Sequence, residues 1–315
     1  MDEDTLIQRY FSFDADSPGL IQGPGDDAAL LTLPPEACAI STDLFLQGAH
    51  FDPGDDPADL GHKALAVNLS DLAAMGATPV CFTLGLAMPR IDEGWIAGFS
   101  EGVKGLAREY GIALAGGDLS RGELGVCITV IGTLEGDAPA LRRDAAMVGD
   151  RIGVTGTVGD ASLARLYPDR AGLESCRERL HRPQPRVEFG RSIRGHAHAA
   201  MDISDGVLKD LGRLLKASGK GASVELTEIP LSKPVAEEQT RSGDWFSILG
   251  GGEDYELVFT APESEWENIQ KIGHRLGVPI SSIGIVDGDG GLRLTEKGES
   301  VPLPSQLGYD HFGSA

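Results

Sequence analysis

LEGDAPALRRDAAMVGDRIGVTGTVGDASL, residues 134–163, decides how the chain is organised. Just upstream, VCITVIGTL (126–134) is an apolar run rich in β-branched residues, the pattern of a buried strand. Downstream, RIGVTG (151–156) opens a new strand, followed by a Gly-bearing turn and the start of a helix. The stretch between them is polar, carries Pro139 and shows no periodicity, which is the composition of a boundary between domains. The spacing therefore predicts two domains, residues 1–147 and 148–315, and a 315-residue chain suits two cores of about 150 residues each.

Outward from that boundary the same alternation continues. CAISTD (38–43), IALAGGD (112–118) and YELVFTA (255–261) read as strands among helical patterns and Gly-rich turns, so the expected class is α/β, of the α+β type with mixed sheets. KALAVNLSDLAAMG (63–76) places Leu65, Leu69, Leu72 and Met75 at helical spacing and ends on Gly76, a natural residue just past a helix end. DGVLKDLGRLLKASG (205–219) turns Leu208, Leu211 and Leu215 inward and closes on Gly219. HRPQPRVEF (181–189), with two prolines, predicts an extended surface connection. No fixed-period repeat is visible.

Composition narrows the function. No apolar run approaches the roughly 18 residues that span a bilayer, and MDEDTLIQRYF (1–11) lacks the basic and apolar regions of a secretory signal, so a cytoplasmic protein is expected. Cys38, Cys81, Cys127 and Cys176 form no CxxC pair and read as core fillers in a reducing compartment. A formal charge of −21 argues against a nucleic-acid partner. A chain this acidic that handled phosphorylated substrates would have to recruit cations to offset the repulsion.

Acidic residues recur just past short apolar or Gly-rich segments: GPGDDAALL (23–31), AISTDLF (39–45), ALAGGDLSRG (113–122), AMDISDG (200–206) and ILGGGEDYEL (248–257). Ligands gather beyond the carboxyl ends of strands in α/β proteins, so these carboxylates are candidates for one crevice. Mg²⁺ suits them, because it prefers carboxylate oxygens and lets phosphates and water complete its octahedron. Asp27, Asp43, Asp71, Asp118, Asp202 and Asp205 are the candidates. Each alone has an ordinary structural reading as a helix cap or Asx-turn, and Asp205 is well placed to cap the helix beginning at Gly206 or Val207. Asp71 differs, since it lies mid-helix beside an apolar stripe, where an aspartate has poor propensity and needs a partner.

Other motifs fall away. GPGDDA (23–28) fits a loose dinucleotide pattern but precedes a strand-like run rather than a long helix. ASGKGAS (217–223) has the wrong glycine separation for a Walker loop, and no G-x-S-x-G or protein-kinase set is present. His196 and His198 lack a third ligand at metal-binding spacing and read as surface residues.

Taken in order, GDDAAL, STDLFLQGAHF, GHKALAVNLSDLAAMGATP, GGDLSRG, RRDAAMVGD, HRPQPRVEFG, AMDISDGVLKDLGRLLKASG, GGEDYEL and GYDHF resemble the thiamine-monophosphate kinases. That family is grouped with aminoimidazole ribonucleotide synthetase and selenophosphate synthetase. The AHF of STDLFLQGAHF, GGEDYEL and the terminal GYDHF (308–312) carry the narrower resemblance. It implies ATP-dependent phosphorylation of thiamine monophosphate to thiamine diphosphate, in thiamine diphosphate biosynthesis, with several Mg²⁺ ions and ATP as co-substrate. It also implies a homodimer paired through the sheets of the amino-terminal domains. Residues 1–147 would bind ATP and Mg²⁺ and form the dimer, and 148–315 would complete the nucleotide and substrate site.

By the same resemblance, Asp27, Ser41, Thr42, Asp43, Asp71, Asp118, Asp202 and Asp205 hold Mg²⁺ around ATP. Gly117, Asp118, Arg143 and Ser204 contact the nucleotide. His50, Glu253, Asp254, Tyr309 and Phe312 surround the thiamine moiety, and Asp43, Asp71, Asp118 and Arg143 are the implied catalytic set. Two positions depart from the family pattern: Leu119 stands where many relatives have a hydroxyl residue, and RDAA (143–146) stands for the more familiar R-S-G-A.

The implied chemistry needs no general base. A phosphate monoester with its second pKa near about 6 is mostly ionised at neutral pH. The difficulty is charge, which cations bridging phosphates and carboxylates offset, with Arg143 adding a bidentate grip. The cationic thiazolium would be met by Glu253 or Asp254 and by Tyr309 or Phe312. Two alternatives stay open. A sibling synthetase would use ATP to activate another acceptor, although the selenophosphate version needs an amino-terminal catalytic Cys and the first here is Cys38. A divalent-cation buffer would explain the acidity, but not the Gly-rich strand-end loops or Arg143.

Overall fold

The computed structural model describes residues 7–11, 20–22, 30–31 and 37–309. It divides into two compact units, Met1–Leu72 with Ala77–Asp137, and Ala73–Gly76 with Ala138–Ala315. The mixed α/β class expected from the alternating patterns is what the structure has.

In the first unit, β1 (Leu20–Gln22) and β2 (Leu30–Leu31) form an antiparallel pair. The main sheet is made of β3 (Cys38–Leu46), β4 (Thr78–Met88), β5 (Ala113–Arg121) and β6 (Gly125–Thr133), in the order β3-β6-β4-β5. Only β4 and β5 run parallel; β6 is antiparallel to both its neighbours. Helix Pro57–Met75 buries Leu65, Leu69 and Leu72, as their spacing predicts, and Leu72 lies beside Gly132 of β6. It ends at Gly76, whose φ of 67° lets the Ala77 N–H reach back to the Leu72 carbonyl (2.9 Å). Helix Glu93–Tyr110 packs against it at backbone distance. A Cβ on Gly61 would sit 2.1 Å from the Phe99 carbonyl oxygen, and one on Gly102 would sit 1.9 Å from that of Ala58.

Because strand side chains alternate, β3 presents two rows. Ser41, Asp43 and Phe45 stand in register with Val130, Ile128 and Val126, which are buried. Ile40, Thr42, Leu44 and Leu46 stand in the other row, and Ile40, Leu44 and Leu46 are 66%, 54% and 43% exposed. The sheet is therefore apolar on both faces.

The second unit is built on a seven-stranded sheet: β7 (Arg151–Thr155), β8 (Ala199–Asp202), β9 (Gly221–Glu225), β10 (Leu257–Ala261), β11 (Ile280–Asp287), β12 (Gly291–Glu296) and β13 (Glu299–Val301). The order is β13-β12-β9-β11-β7-β10-β8, with β9 and β12 the parallel neighbours. β10, LVFTA, is buried at every residue, as its unbroken apolar run requires. Helix Val207–Ser218 contributes Leu208, Leu211, Leu214 and Leu215 to a core shared with Ile152, Val154 and Val258.

Two expectations are corrected here. HRPQPRVEF is not an extended surface connection: Pro183 and Pro185 are buried, and Val187–Ile193 is a helix. The cause is long-range, since Arg186 turns inward to a buried glutamate described below. Of the four cysteines, Cys81 and Cys176 are core fillers, whereas Cys38 is exposed at the start of an edge strand.

Candidate active site

In the first unit, the STD segment of β3 meets the NLSD segment of helix Pro57–Met75. The Ser41 hydroxyl donates to Asp71 Oδ2 (2.5 Å), and the Asp43 N–H donates to Asn68 Oδ1 (3.2 Å). Asn68 in turn donates its amide N–H to the Ala64 carbonyl (2.9 Å), which fixes which way the amide points. Burial, and then the nearby charge of Asp71, push the Asp43 carboxyl up from 3.8 to about 6. Asp71 thus has the partner that its mid-helix position demanded, and it faces a second carboxylate.

Other predicted residues of this unit stand apart from that pair. Thr42 belongs to the opposite row of β3, where its hydroxyl pairs with that of Thr129 (2.8 Å). Gly117 is in register with Leu84, in the row of Asp43, whereas Asp118 is in register with Gly85 and Cys127, in the row of Leu44. Asp118 is exposed and accepts from the Ser120 hydroxyl (2.5 Å). His50 accepts the Leu46 N–H at Nδ1 (3.1 Å), with its ring tilted against Phe45. Asp27 lies outside the described residues.

In the second unit, three blocks remote in sequence come together. DISDG follows β8 and GGEDYEL precedes β10, and these strands pair with Asp202 opposite Leu257. The pairing carries on into the loops: Ile203 N–H donates to Glu256 O (2.8 Å), Tyr255 N–H to Ile203 O (2.9 Å) and Glu253 N–H to Ser204 O (2.8 Å). Glu253 and Tyr255 take φ of 62° and 49°, a left-handed conformation costly for both. The terminal block joins at Tyr309, whose N–H donates to Asp205 O (3.0 Å) while Lys209 donates to the Tyr309 carbonyl. Phe312 lies outside the described residues.

Cations and N–H groups answer the carboxylates of this unit. Asp205 pairs with Lys209 (3.1 Å) and Arg213 (2.6 Å), so it does not cap the following helix. Asp210, one turn inside the helix, reaches back to accept the N–H groups of Ser204 (3.0 Å) and Asp205 (2.8 Å) in the preceding loop, and no side chain caps the helix start at Gly206. Glu253 pairs with Arg165. Asp254 is buried and accepts the Gly159 N–H (2.8 Å); burial pushes its carboxyl well above the usual range. Asp202 is buried at the end of β8. Arg143 is exposed, and its carbonyl accepts from Ser218 (2.7 Å). His196 and His198 are not a metal pair: they pair with Glu265 (2.7 Å) and Asp150 (2.9 Å) respectively.

Among the described residues, no three His, Cys, Asp or Glu side chains are grouped to hold a metal ion. Asp43 and Asp71 are two carboxylates, with the Ser41 hydroxyl as a third oxygen, and burial together with the Asp71 charge makes Asp43 resist ionisation. That donor set fits a hard divalent cation that takes few protein ligands and completes its shell with phosphate and water.

Known proteins extend these observations. The family model described as AIR synthase related protein, N-terminal domain, matches residues 25–134, and its C-terminal counterpart matches residues 148–297. The chain is 43% identical over 325 residues to the thiamine-monophosphate kinase of Escherichia coli (strain K12), covering 99% of this chain and 98% of that one. The chain belongs to the thiamine-monophosphate kinase family. A crystal structure of the thiamine-monophosphate kinase from Stenotrophomonas maltophilia K279a matches with TM-score 0.83 at 39% identity, over 95% of this chain and 96% of that one. The structure described as AaThiL complexed with AMPPCP and TMP matches with TM-score 0.76 at 27% identity, over 98% and 95%.

Within this thiamine-monophosphate kinase framework, several residues escaped the sequence reading. Asn68 orients β3 and Asp210 braces the DISDG loop. Glu256, buried, accepts from Thr155 (2.6 Å), Arg179 (2.5 Å) and both arms of Arg186 (2.7 and 2.6 Å). A signal for Glu256 was present: a carboxylate at the head of an otherwise apolar strand run needs a buried cation, and HRPQPR offers one.

Proposed function

We propose that the chain transfers the γ-phosphoryl group of ATP directly, in line, to the phosphate of thiamine monophosphate, giving thiamine diphosphate and ADP. The observation that carries this reading beyond family membership is the Asp43–Asp71 pair, whose electrostatic strain a bound cation would relieve. Mg²⁺ would be held by Asp43 and Asp71 with Ser41, and Asp27, Thr42, Asp118, Asp202 and Asp205 are the further candidates. Bound there, Mg²⁺ would neutralise phosphate charge and hold the reacting groups in line.

The chain's own residues do the rest. Ser41 and Asn68 fix the carboxylate pair and the strand that carries it. Gly117, Asp118, Arg143 and Ser204 are the proposed nucleotide contacts. His50, Glu253, Tyr309 and Phe312 are proposed around the thiamine moiety, with Asp254, buried, acting beneath Glu253 through the loop. An acceptor already ionised at neutral pH needs no proton removed.

The exposed row of Ile40, Leu44 and Leu46 on an apolar sheet face supports a homodimer formed through this sheet. Among the described residues no helix is long and apolar enough to cross a membrane, and the free cysteines suit a reducing cytoplasm. The test is to supply ATP, Mg²⁺ and thiamine monophosphate and to separate the products. Thiamine diphosphate in equal amount to ADP is expected; ADP with only free phosphate contradicts the reading.

A further inference from the structure

At the carboxyl end of the parallel pair β4 and β5 lies a cavity of about 410 Å³ whose lining combines Met88, Ile91 and Leu119 with Arg90, Ser120 and Arg121. The register sets Met88 beside Arg121, and the Gly122 N–H donates to the Met88 carbonyl (3.0 Å), so the two strand ends are tied together. Arg121 is the last residue of β5 and Arg90 lies two residues beyond the end of β4. Both are exposed.

What marks the two is their position together at one cavity. The chain carries 48 acidic against 27 basic side chains, and Arg151, Arg186 and Arg213 each answer a carboxylate. Among the described residues, neither Arg90 nor Arg121 has a hydrogen-bond or ion-pair partner. The Ser120 hydroxyl is already committed to Asp118. Each of the two guanidiniums at this cavity presents planar donors that match phosphate oxygens, and the apolar lining beside them takes the less polar part of a ligand.

We propose that Arg90 and Arg121 form a binding site for the phosphate group of a small phosphate ester, with the ester's apolar portion against Met88, Ile91 and Leu119. Neither arginine belongs to the metal, nucleotide or thiamine sets above. The site does not depend on the transfer reading, because it acts through guanidinium–phosphate contact and needs no metal.

The test uses the full chain in calorimetric titrations. Inorganic pyrophosphate in excess chelator reads the anion contact without the carboxylate pair; thiamine monophosphate and AMPPCP with Mg²⁺, in separate titrations, read which ester uses it. Arg90→Gln and Arg121→Gln are each expected to weaken pyrophosphate, and at least one of the two esters, by about tenfold. Arg108→Gln, an exposed arginine elsewhere in the same unit, is the control and should change none of them. A loss confined to thiamine monophosphate assigns the cavity to the acceptor, and one confined to AMPPCP assigns it to the donor. Unchanged binding of both esters, or an equal loss with Arg108→Gln, overturns the proposal. Failure to make thiamine diphosphate would leave the pyrophosphate result standing, so the two readings fail separately.

Discussion

The carboxylates of the two units are held in opposite ways. In the first, Asp43 and Asp71 face each other across a strand and a helix, and the Asp43 carboxyl rises to about 6 because burial and its neighbour both oppose ionisation. In the second, Asp205 meets Lys209 and Arg213, Glu256 meets Arg179 and Arg186, and Asp210 takes two backbone N–H groups. Carboxylates answered by the protein's own cations hold loops in place. Asp43 and Asp71, each opposing the other's ionisation, are the pair proposed to take a cation from solution.

The largest test of that contrast is removal of the first pair's charge. Asp43→Asn and Asp71→Asn are expected to cost about a thousandfold in turnover while thermal melting of the metal-free protein shows them folded. Asp43→Asn should even melt at or above the wild-type temperature, since it removes a half-buried like-charge contact. Loss of folding with activity per folded molecule intact would make the pair structural and break the contrast.

Glu256→Gln should show the reverse pattern. Leaving Arg179 and Arg186 beside an uncharged amide costs about 3 kcal/mol of stability, read from denaturant unfolding, with binding of Mg²⁺ to the folded protein retained. A variant as stable as wild type would mean that the second unit's pairs are ornamental.

A smaller effect is expected in acid. The hydrogen bonds of Arg241 and Arg170 hold the Glu238 carboxyl down at about 2, below its unfolded value. A group depressed on folding contributes stability above the unfolded value of about 4.5 and loses it as pH falls toward 2. Glu238→Gln should therefore flatten the fall in melting temperature between those limits. An unchanged acid limb would assign that fall to other carboxylates. Smallest is Tyr309→Leu, expected to weaken thiamine monophosphate by about 1 kcal/mol, the value of an exposed cation–π contact, and to leave AMPPCP binding as it was. An equal loss of both ligands would place the Tyr309 side chain in the fold rather than at the thiamine moiety.

What could be read in the sequence was mostly local. Helix ends at Gly76 and Gly219 follow from the chain's need for a left-handed residue, and the mid-helix Asp71 announced a partner because its propensity was wrong. What escaped was set by distant neighbours. The signal lay at Glu256 rather than around Pro183, because Arg186 turns inward to a glutamate 70 residues away. Asp205 had a capping residue's position, but its side chain went to Lys209 and Arg213, and the helix start at Gly206 has no side-chain cap. Thr42 and Asp118 show a different limit: adjacency in STD and GGD says nothing about face, and strand alternation sends them to the row opposite Asp43.

We propose a division of labour in which the Asp43–Asp71 pair of the first unit serves a cation, while Asp210 and Glu256 of the second serve the fold. Its most direct test is calorimetric titration of AMPPCP into wild type, Asp43→Asn, Asp71→Asn and Glu256→Gln, each with Mg²⁺ and with chelator. Wild type and Glu256→Gln should bind at least about tenfold more tightly with Mg²⁺, and the two aspartate variants should lose that dependence. Equal binding by wild type in Mg²⁺ and in chelator, or Mg²⁺ dependence surviving in both aspartate variants, would contradict it.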